Sequence, residues 1–139
     1  MSLVAATLCL ALNIYHESRG EPLAGQLAVA AVTINRVRSP KHPDTICKVV
    51  KQARYHEWDQ VNPIRYKCSF SWFCDGKSDV PTNDKEMLES TLIAQHVMMG
   101  NFVDITEGAT HYFNPDKVNP YWAKTENFIL KIGNHAFYR

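Results

Sequence analysis

The sequence predicts a mainly α-helical domain with a small β element, of the α+β class, on three observations. Apolar residues recur at helical spacing through most of the first 50 residues and again between residues 83 and 99. The part after residue 100 instead contains two Asn-Pro breaks and many aromatic residues, which indicates loops and short strands. A chain of 139 residues can bury one sizeable core, so we expect a single domain over residues 1–139.

The first predicted helix carries a carboxyl group on its apolar face. That face consists of Leu3, Ala6, Leu10, Ile14 and Glu17. Steps of three and four residues place them on one stripe. The opposite face is apolar too, which predicts a central helix buried on most sides. Gly20 and Pro22 then break the helix, so Glu17 stands at the edge of the core.

The other elements follow from breakers and caps. Helices are predicted over residues 22–38, 44–51 and 83–99, and Asn83 followed by Glu86 resembles a capping box. Residues 52–82 show no sustained helical period, and the run CSFSWFCDGKSD within them suggests a small hairpin or a loop. Beyond Gly100 we expect loops, one or two short strands and one helical turn.

The cysteines leave the redox state open. Cys9 lies in the apolar helix and is expected to be a small buried residue. One disulfide can form if the protein works outside the cytoplasm, but reduced thiols fit equally well. The connectivity among Cys47, Cys68 and Cys74 cannot be read from the sequence.

Charge and hydropathy exclude several classes of partner. A net charge of +1 does not build the basic field of a nucleic-acid-binding protein. The apolar N-terminal segment is too short to cross a bilayer, so we expect no stable membrane insertion. It also lacks a positive n-region and room for a cleavage site, so no signal peptide is evident.

A buried glutamic acid can act as a proton donor. Loss of water disfavours the charged form, which raises the pKa of the carboxyl and keeps its proton near neutral pH. Cleavage of a glycosidic bond requires such a donor. Aromatic rings that could pack against sugar faces are Trp58, Trp72, Tyr112 and Trp122.

Metal and nucleophile chemistry have weaker support. His16 and Glu17 begin like a zinc-binding HExxH motif, but Gly20 stands where the second histidine is needed. A metal-dependent amidase built on His16, His111 and His135 stays an alternative. No GxSxG motif or protease-type cysteine context is present. We therefore expect no metal and no cofactor.

Five segments carry a family resemblance, and in chain order they are YHESRGEPLAGQLAVAAVTINRV, CSFSWFCDG, ATHYFNP, NPYWA and IGNHAFYR. Together they resemble the SleB-type cell wall hydrolases, the family of the spore cortex-lytic enzymes. The resemblance implies a fold similar to lysozyme and to lytic transglycosylases. It also implies activity on the glycan strands of peptidoglycan.

The resemblance also implies roles for individual residues. Glu17 matches the family's catalytic glutamate. The positions expected to contact substrate are Ser71, Trp72, His111, Tyr112, Asn114, Trp122 and His135. Ser69 departs from the pattern, because the family usually has Gln there, and we expect a hydrogen bond to the substrate or to the catalytic carboxyl to be missing or shortened.

Several mechanisms stay open. The resemblance favours a lytic transglycosylase, in which one glutamate is first the acid and then the base. A hydrolytic muramidase or glucosaminidase would need a second carboxylate, for which Asp59, Asp75 and Asp104 are available. The metal-dependent amidase and a non-catalytic glycan-binding module are further alternatives. We expect a monomer that acts at the cell wall, in the periplasm or outside the cell, and that is either phage-encoded or lacks its export signal.

Overall fold

The structure, a computed structural model, describes residues 2–139. This part of the chain forms four α-helices and one three-stranded sheet. The elements are α1 (Leu3–Ser18), α2 (Leu23–Arg38), α3 (Ile46–Val50), α4 (Asp84–Met98), β1 (His111–Phe113), β2 (Phe128–Ile132) and β3 (His135–Tyr138). Short 3-10 helices cover Ser71–Cys74 and Thr125–Asn127. The mainly helical fold with a small β element is confirmed.

The helices begin where capping side chains are available. The side chains of Ser2, Thr45 and Asn83 each accept a hydrogen bond from the backbone N–H three residues later, at the starts of α1, α3 and α4. Of the predicted capping box, the bond to the Asn83 side chain is confirmed, whereas the backbone N–H of Asn83 donates to the hydroxyl of Tyr15 rather than to Glu86. Gly20 has a φ of 83°, a left-handed conformation that reverses the chain between α1 and α2.

Only the second half of α1 is buried. Leu10 and Ile14 are fully buried against the other helices, whereas Leu3 is 68% and Val4 79% exposed. The prediction that this helix is buried on most sides is therefore wrong for its first two turns, where Ala6 and Cys9 pack against the core but the opposite side faces solvent. The buried half is the half that ends in Glu17.

The core consists of two clusters that meet at one tyrosine. The larger cluster joins all four helices to Phe70 and Trp72. The smaller one packs the opposite side of α2 against the sheet, with Val29, Val32 and Phe137 at its centre. Tyr112 contacts both clusters, so β1 is fixed against α2 at this point.

The sheet is antiparallel, with the order β1-β3-β2. Tyr112 in β1 pairs with Phe137 in β3, and Gly133, with a φ of 55°, stands in the turn between β2 and β3. The sequence predicted one or two strands, and the structure has three in residues 2–139. The tight turn at Gly133 allows β2 and β3 to form a hairpin.

For residues 68–79 the sequence left a small hairpin or a loop open, and the structure has a loop. Cys68 and Cys74 form a disulfide that closes a short loop, and Ser71–Cys74 within it is a 3-10 helix. A second disulfide joins Cys9 in α1 to Cys47 in α3. Cys9 is therefore not the isolated buried thiol that the sequence suggested. All four cysteines are paired. The Cys9–Cys47 bridge ties α3 to α1, and the Cys68–Cys74 bridge closes the loop on itself.

Candidate active site

Glu17 lies in the last turn of α1 and faces residues from α2 and β1. Its side chain is partly exposed, at the edge of the larger core cluster. Burial raises the pKa of Glu17, while a hydrogen bond from Tyr112 and the charge of Arg36 lower it, and burial dominates. The negative end of the α1 dipole also disfavours a carboxylate at this position. Glu17 is therefore a carboxyl group that holds its proton to higher pH than an ordinary glutamate.

Tyr112 is the hydrogen-bond donor to this carboxyl. Its hydroxyl donates a hydrogen bond to Oε1 of Glu17. The ring is held by neighbours on β3, with ring centroids 4.9 Å from His135 and 5.5 Å from Phe137. Burial and the nearby Glu17 raise the pKa of Tyr112 well above its ordinary value. Tyr112 therefore keeps its proton and acts as a fixed donor to Oε1.

Arg36 brings a buried positive charge to the same site. Its Nε donates to the backbone oxygen of Thr110 at 2.7 Å, and its Nη1 donates to Oε1 of Gln52 at 3.2 Å. The guanidinium lies 5.1 Å from the centre of the Phe70 ring. Burial lowers the pKa of Arg36, but Tyr112 and Glu17 oppose that shift. Sequence reasoning missed Arg36, although an arginine within the apolar stretch of α2 was a signal that could have found it.

Trp72 occupies the core rather than the surface. It is only 9% exposed, its Nε1 donates to Oδ1 of Asn13 at 2.9 Å, and His16 stacks on its ring at 4.5 Å. This burial does not fit the expected sugar platform, because the indole has no free face to offer a sugar. Its neighbour Ser71 is exposed, so Ser71 has the access that Trp72 lacks.

His111 and Trp122 belong to an aromatic cluster beside the site. The Nδ1 of His111 lies 2.9 Å from the hydroxyl of Thr110, and its ring centre lies 4.9 Å from that of Trp122. Burial, Arg36 and His42 lower the pKa of His111 to about 4. His111 is therefore neutral at neutral pH.

Trp122 packs against the sheet from the segment that precedes β2. Its ring centre lies 5.5 Å from that of Phe113 and 5.6 Å from that of Tyr138. Asn114 follows β1, and its Oδ1 accepts a hydrogen bond from the backbone N–H of Asp116. Asn114 thus shapes the turn after β1, and none of its side-chain hydrogen bonds in residues 2–139 is to Glu17.

His135 touches the site through Tyr112 and is backed by Glu21. The carboxylate of Glu21 accepts hydrogen bonds from the backbone N–H and the Nδ2 of Asn134, both at 2.8 Å. The Oε1 of Glu21 lies 3.8 Å from Nδ1 of His135. Burial lowers the pKa of His135 although Glu21 opposes this, so the contact is not a strong ion pair at neutral pH. Glu21 was missed by sequence reasoning, since its partner is 113 residues away.

The carboxylates considered as second catalytic groups are engaged elsewhere. Asp59 accepts hydrogen bonds from Val61 and Asn62 in its own loop, which lower its pKa. Asp75 accepts from the backbone N–H of Lys77. Asp104 is held by three hydrogen bonds from its own loop and one from α2, and its pKa is also lowered. None of the three contributes to the pKa shift of Glu17.

The histidines do not converge. His16, His111 and His135 each have separate neighbours, and within residues 2–139 no three His, Cys, Asp or Glu side chains form a group that could hold a metal ion. The side-chain arrangement therefore gives the amidase alternative no support. In the same range, no helix is long and apolar enough to cross a membrane.

Comparison with known proteins identifies the family of this chain. The family model described as Cell Wall Hydrolase matches residues 20–138. This chain belongs to the cell wall hydrolase family. The match begins just after Glu17, so the glutamate itself lies outside the matched residues.

Relatives and solved structures cover nearly the whole chain. The chain is 35% identical over 127 residues to the spore cortex-lytic enzyme of Bacillus cereus, covering 89% of this chain and 40% of that protein. It is 34% identical over 128 residues to that of Bacillus subtilis strain 168, covering 92% of this chain and 35% of the relative. The chain thus spans well under half the length of these curated relatives.

Two solved structures share the fold of this cell wall hydrolase domain. One is the catalytic domain of the germination-specific lytic transglycosylase SleB from Bacillus anthracis, with a TM-score of 0.71 and 34% identity, covering 100% of this chain and 97% of that one. The other is the catalytic domain of the Bacillus cereus SleB protein, with a TM-score of 0.70 and 32% identity, covering 100% and 93%. The expected family resemblance is confirmed.

Proposed function

We propose that this protein cleaves the glycan strands of peptidoglycan between N-acetylmuramic acid and N-acetylglucosamine as a lytic transglycosylase, with Glu17 as its catalytic residue. The observation that carries the proposal is a single carboxyl group, desolvated at the end of α1 and hydrogen-bonded by Tyr112. The Bacillus anthracis protein that shares the fold is described as a lytic transglycosylase, which supports the same reaction here.

One carboxyl group suffices for this chemistry. Protonated Glu17 donates its proton to the glycosidic oxygen as the bond to C1 of the muramic acid breaks, which leaves a carboxylate and an oxocarbenium-like sugar. The carboxylate then takes the proton of the 6-hydroxyl while O6 attacks C1. The products are a 1,6-anhydromuramic end and a new free hydroxyl on the other strand, and Glu17 is protonated again.

The neighbours of Glu17 determine which of its two carboxyl oxygens carries the proton. Tyr112 donates to Oε1, so this oxygen behaves as the carbonyl oxygen of the acid and the proton belongs on Oε2. In the charged state the same hydrogen bond and the charge of Arg36 stabilise the carboxylate. Tyr112 therefore has a role in both steps, as a positioning donor that never gives up its own proton.

The roles of the remaining candidates are assigned by exposure. Ser71 is exposed and, with Trp122 and His111 in the aromatic cluster, is proposed to contact the sugar. Asn114 and His135 are proposed to act through the turn after β1 and through the Tyr112 ring. Trp72 is proposed to support the site from the core, where it anchors the loop that carries Ser71.

The same proposal includes the compartment in which the protein acts, its oligomeric state and its partner. Two disulfides support action outside the cytoplasm, in the periplasm or beyond the cell. We propose that residues 1–139 act as one catalytic domain and as a monomer, because Glu17, Tyr112 and Arg36 all come from one chain. The partner is the glycan strand, with no role for nucleic acid or for membrane insertion.

Digestion of purified peptidoglycan by wild type and by Glu17→Gln tests the proposal. We expect wild type to release muropeptides with 1,6-anhydromuramic ends, identified by mass spectrometry, and the variant to release none. Glu57→Gln, a change at an exposed glutamate, is the matched control and should cleave normally.

The products discriminate the alternatives. Reducing muramic ends would indicate a muramidase, reducing glucosamine ends a glucosaminidase, and cut stem peptides an amidase. Wall binding without soluble products would indicate a binding module. Full turnover by Glu17→Gln would refute the assignment of the catalytic residue.

A further inference from the structure

A groove of about 720 Å³ outside the candidate active site is lined by positive charge. Its charged residues are Lys48, Lys51, Arg54 and Lys67, and none of the Asp and Glu residues in the described chain lines it. The chain as a whole has 15 basic and 14 acidic residues, so the clustering of four cations in one groove is a local excess rather than a general property.

The cations of this groove lack strong partners. Lys48 reaches Asp44 only at 4.0 Å, and both side chains are mostly exposed. Lys51, Arg54 and Lys67 form no ion pair within residues 2–139. Like charges that line one groove repel each other, so a bound anion would relieve that repulsion. The groove is therefore electrostatically suited to an anionic ligand.

The backbone beneath these cations is fixed. Arg54 donates its backbone N–H to the oxygen of Lys67 at 2.9 Å, and Ser69 donates to Gln52 at 2.9 Å, so two segments pair side by side. On the other wall, the disulfide of Cys47 ties α3 to α1. Arg54 and Lys67 are thus held next to each other whether or not a ligand is present.

The groove is connected to the active site through one hydrogen bond. Gln52 lines the groove and accepts a hydrogen bond from Nη1 of Arg36, whose charge acts on Glu17. Ser69, which also lines the groove, precedes Ser71 by two positions in the disulfide-closed loop. The groove therefore begins at the Arg36 side of the site.

We propose that this groove binds the carboxylates of the peptide stem attached to the glycan strand that Glu17 cleaves. The proposal rests on the proposed function, since a stem peptide leaves the strand at muramic acid, the sugar whose bond is broken. Stem peptides carry several carboxylates along a short extended chain, and Lys and Arg side chains pair with such groups. The four cations would then select strands that bear stems over strands that lack them.

The test compares two soluble substrates, glycan strands with intact stems and the same strands after an amidase has removed the stems. For Lys51→Gln/Lys67→Gln we expect KM on stem-bearing strands to rise about fivefold, because two exposed charge contacts are lost. On stem-free strands its KM should stay within about twofold of wild type, by the same reasoning. The matched control is Lys85→Gln/Lys131→Gln, which removes two exposed charges outside the groove and should leave KM on both substrates unchanged.

Salt gives a second readout. Raising the ionic strength should increase the wild-type KM on stem-bearing strands, and this increase should be weaker in the groove variant. Equal KM changes on both substrates, no change on either, or the same change in the control variant would overturn the proposal. If wild type cleaves neither substrate, it is the proposed function that fails, so the two failures are distinguishable.

Discussion

Replacing Glu17 by Gln should make the protein more stable at neutral pH while it abolishes activity. Glutamine has the shape of glutamate and can still accept the hydrogen bond from Tyr112 through its amide oxygen. It cannot ionise, however. Because burial raises the pKa of Glu17, the charged carboxylate destabilises the folded state, and the variant removes that destabilisation.

The magnitude follows from the linkage between pKa and folding. Each unit by which the folded pKa exceeds the unfolded one destabilises wild type at high pH by about 1.4 kcal/mol. For a domain of 139 residues this corresponds to about 5 °C in Tm for each unit. Below the unfolded pKa of about 4.3 the carboxyl is protonated in both states, so the two proteins should be equally stable there.

The sign of the pH dependence is therefore fixed. As the pH rises above about 4.3, the unfolded carboxyl loses its proton first, and wild type loses stability relative to the variant. The difference grows until the pH passes the raised pKa of folded Glu17 and is constant above it. Thermal unfolding followed by circular dichroism between pH 4 and pH 8, on wild type and Glu17→Gln, measures this curve.

The result that would refute the reasoning is a Tm difference independent of pH, or a variant less stable than wild type above pH 6. Glu57→Gln is the control, since Glu57 is exposed and its substitution should give a flat and small difference. The same raised pKa should limit activity, because only protonated Glu17 can donate. The activity of wild type should fall as the pH rises through that pKa.

Three further substitutions test the neighbours. Tyr112→Phe removes the hydrogen bond that lowers the pKa of Glu17. We therefore expect kcat to fall about tenfold and the alkaline limb of the pH profile of kcat to move to higher pH. An unmoved limb would contradict the role of the hydroxyl. His111 has a pKa of about 4, so between pH 6.5 and pH 4 only the unfolded chain gains its proton and acidification destabilises wild type. His111→Gln should therefore show a smaller fall in Tm than wild type over this pH range, and an equal fall would refute the lowered pKa of His111. Asn13→Ala leaves the buried indole N–H of Trp72 without its acceptor. We expect the free energy of unfolding, measured by urea unfolding, to fall by about 1–3 kcal/mol. A loss below about 0.5 kcal/mol would show that the hydrogen bond between Asn13 and Trp72 contributes little to stability.

The helices and Glu17 could be predicted because their signals are local. Helical spacing of apolar residues, the cap at Asn83 and the break at Gly20 each act within a few residues. The position of Glu17 on the apolar stripe follows from the same spacing. The family resemblance added Tyr112, which no local pattern would have joined to Glu17 across 95 positions.

The features that were missed depend on contacts between distant segments. Arg36 is fixed by Thr110, 74 residues away, and Glu21 by Asn134, 113 residues away. The alternating sequence of residues 68–79 allows a small hairpin or a loop, and a disulfide together with the burial of Trp72 fixes a loop that contains a 3-10 helix. Alternation of apolar and polar residues indicates a strand only where a partner strand is available. Within the described chain, the strand pairing of this segment is limited to a single isolated bridge at Cys68.

Arg36 and Tyr112 explain how one carboxyl could serve both halves of the proposed reaction. Burial alone would make Glu17 a good acid, but it would strongly disfavour the carboxylate that must act as the base in the second half of the reaction. The hydrogen bond from Tyr112 and the charge of Arg36 lower the pKa that burial raises, so the carboxylate is less destabilised than it would be by burial alone. A group that must first give and then take a proton needs an intermediate pKa. Arg36 can supply this opposing charge from the interior because Thr110, Gln52 and the Phe70 ring hold its guanidinium in place.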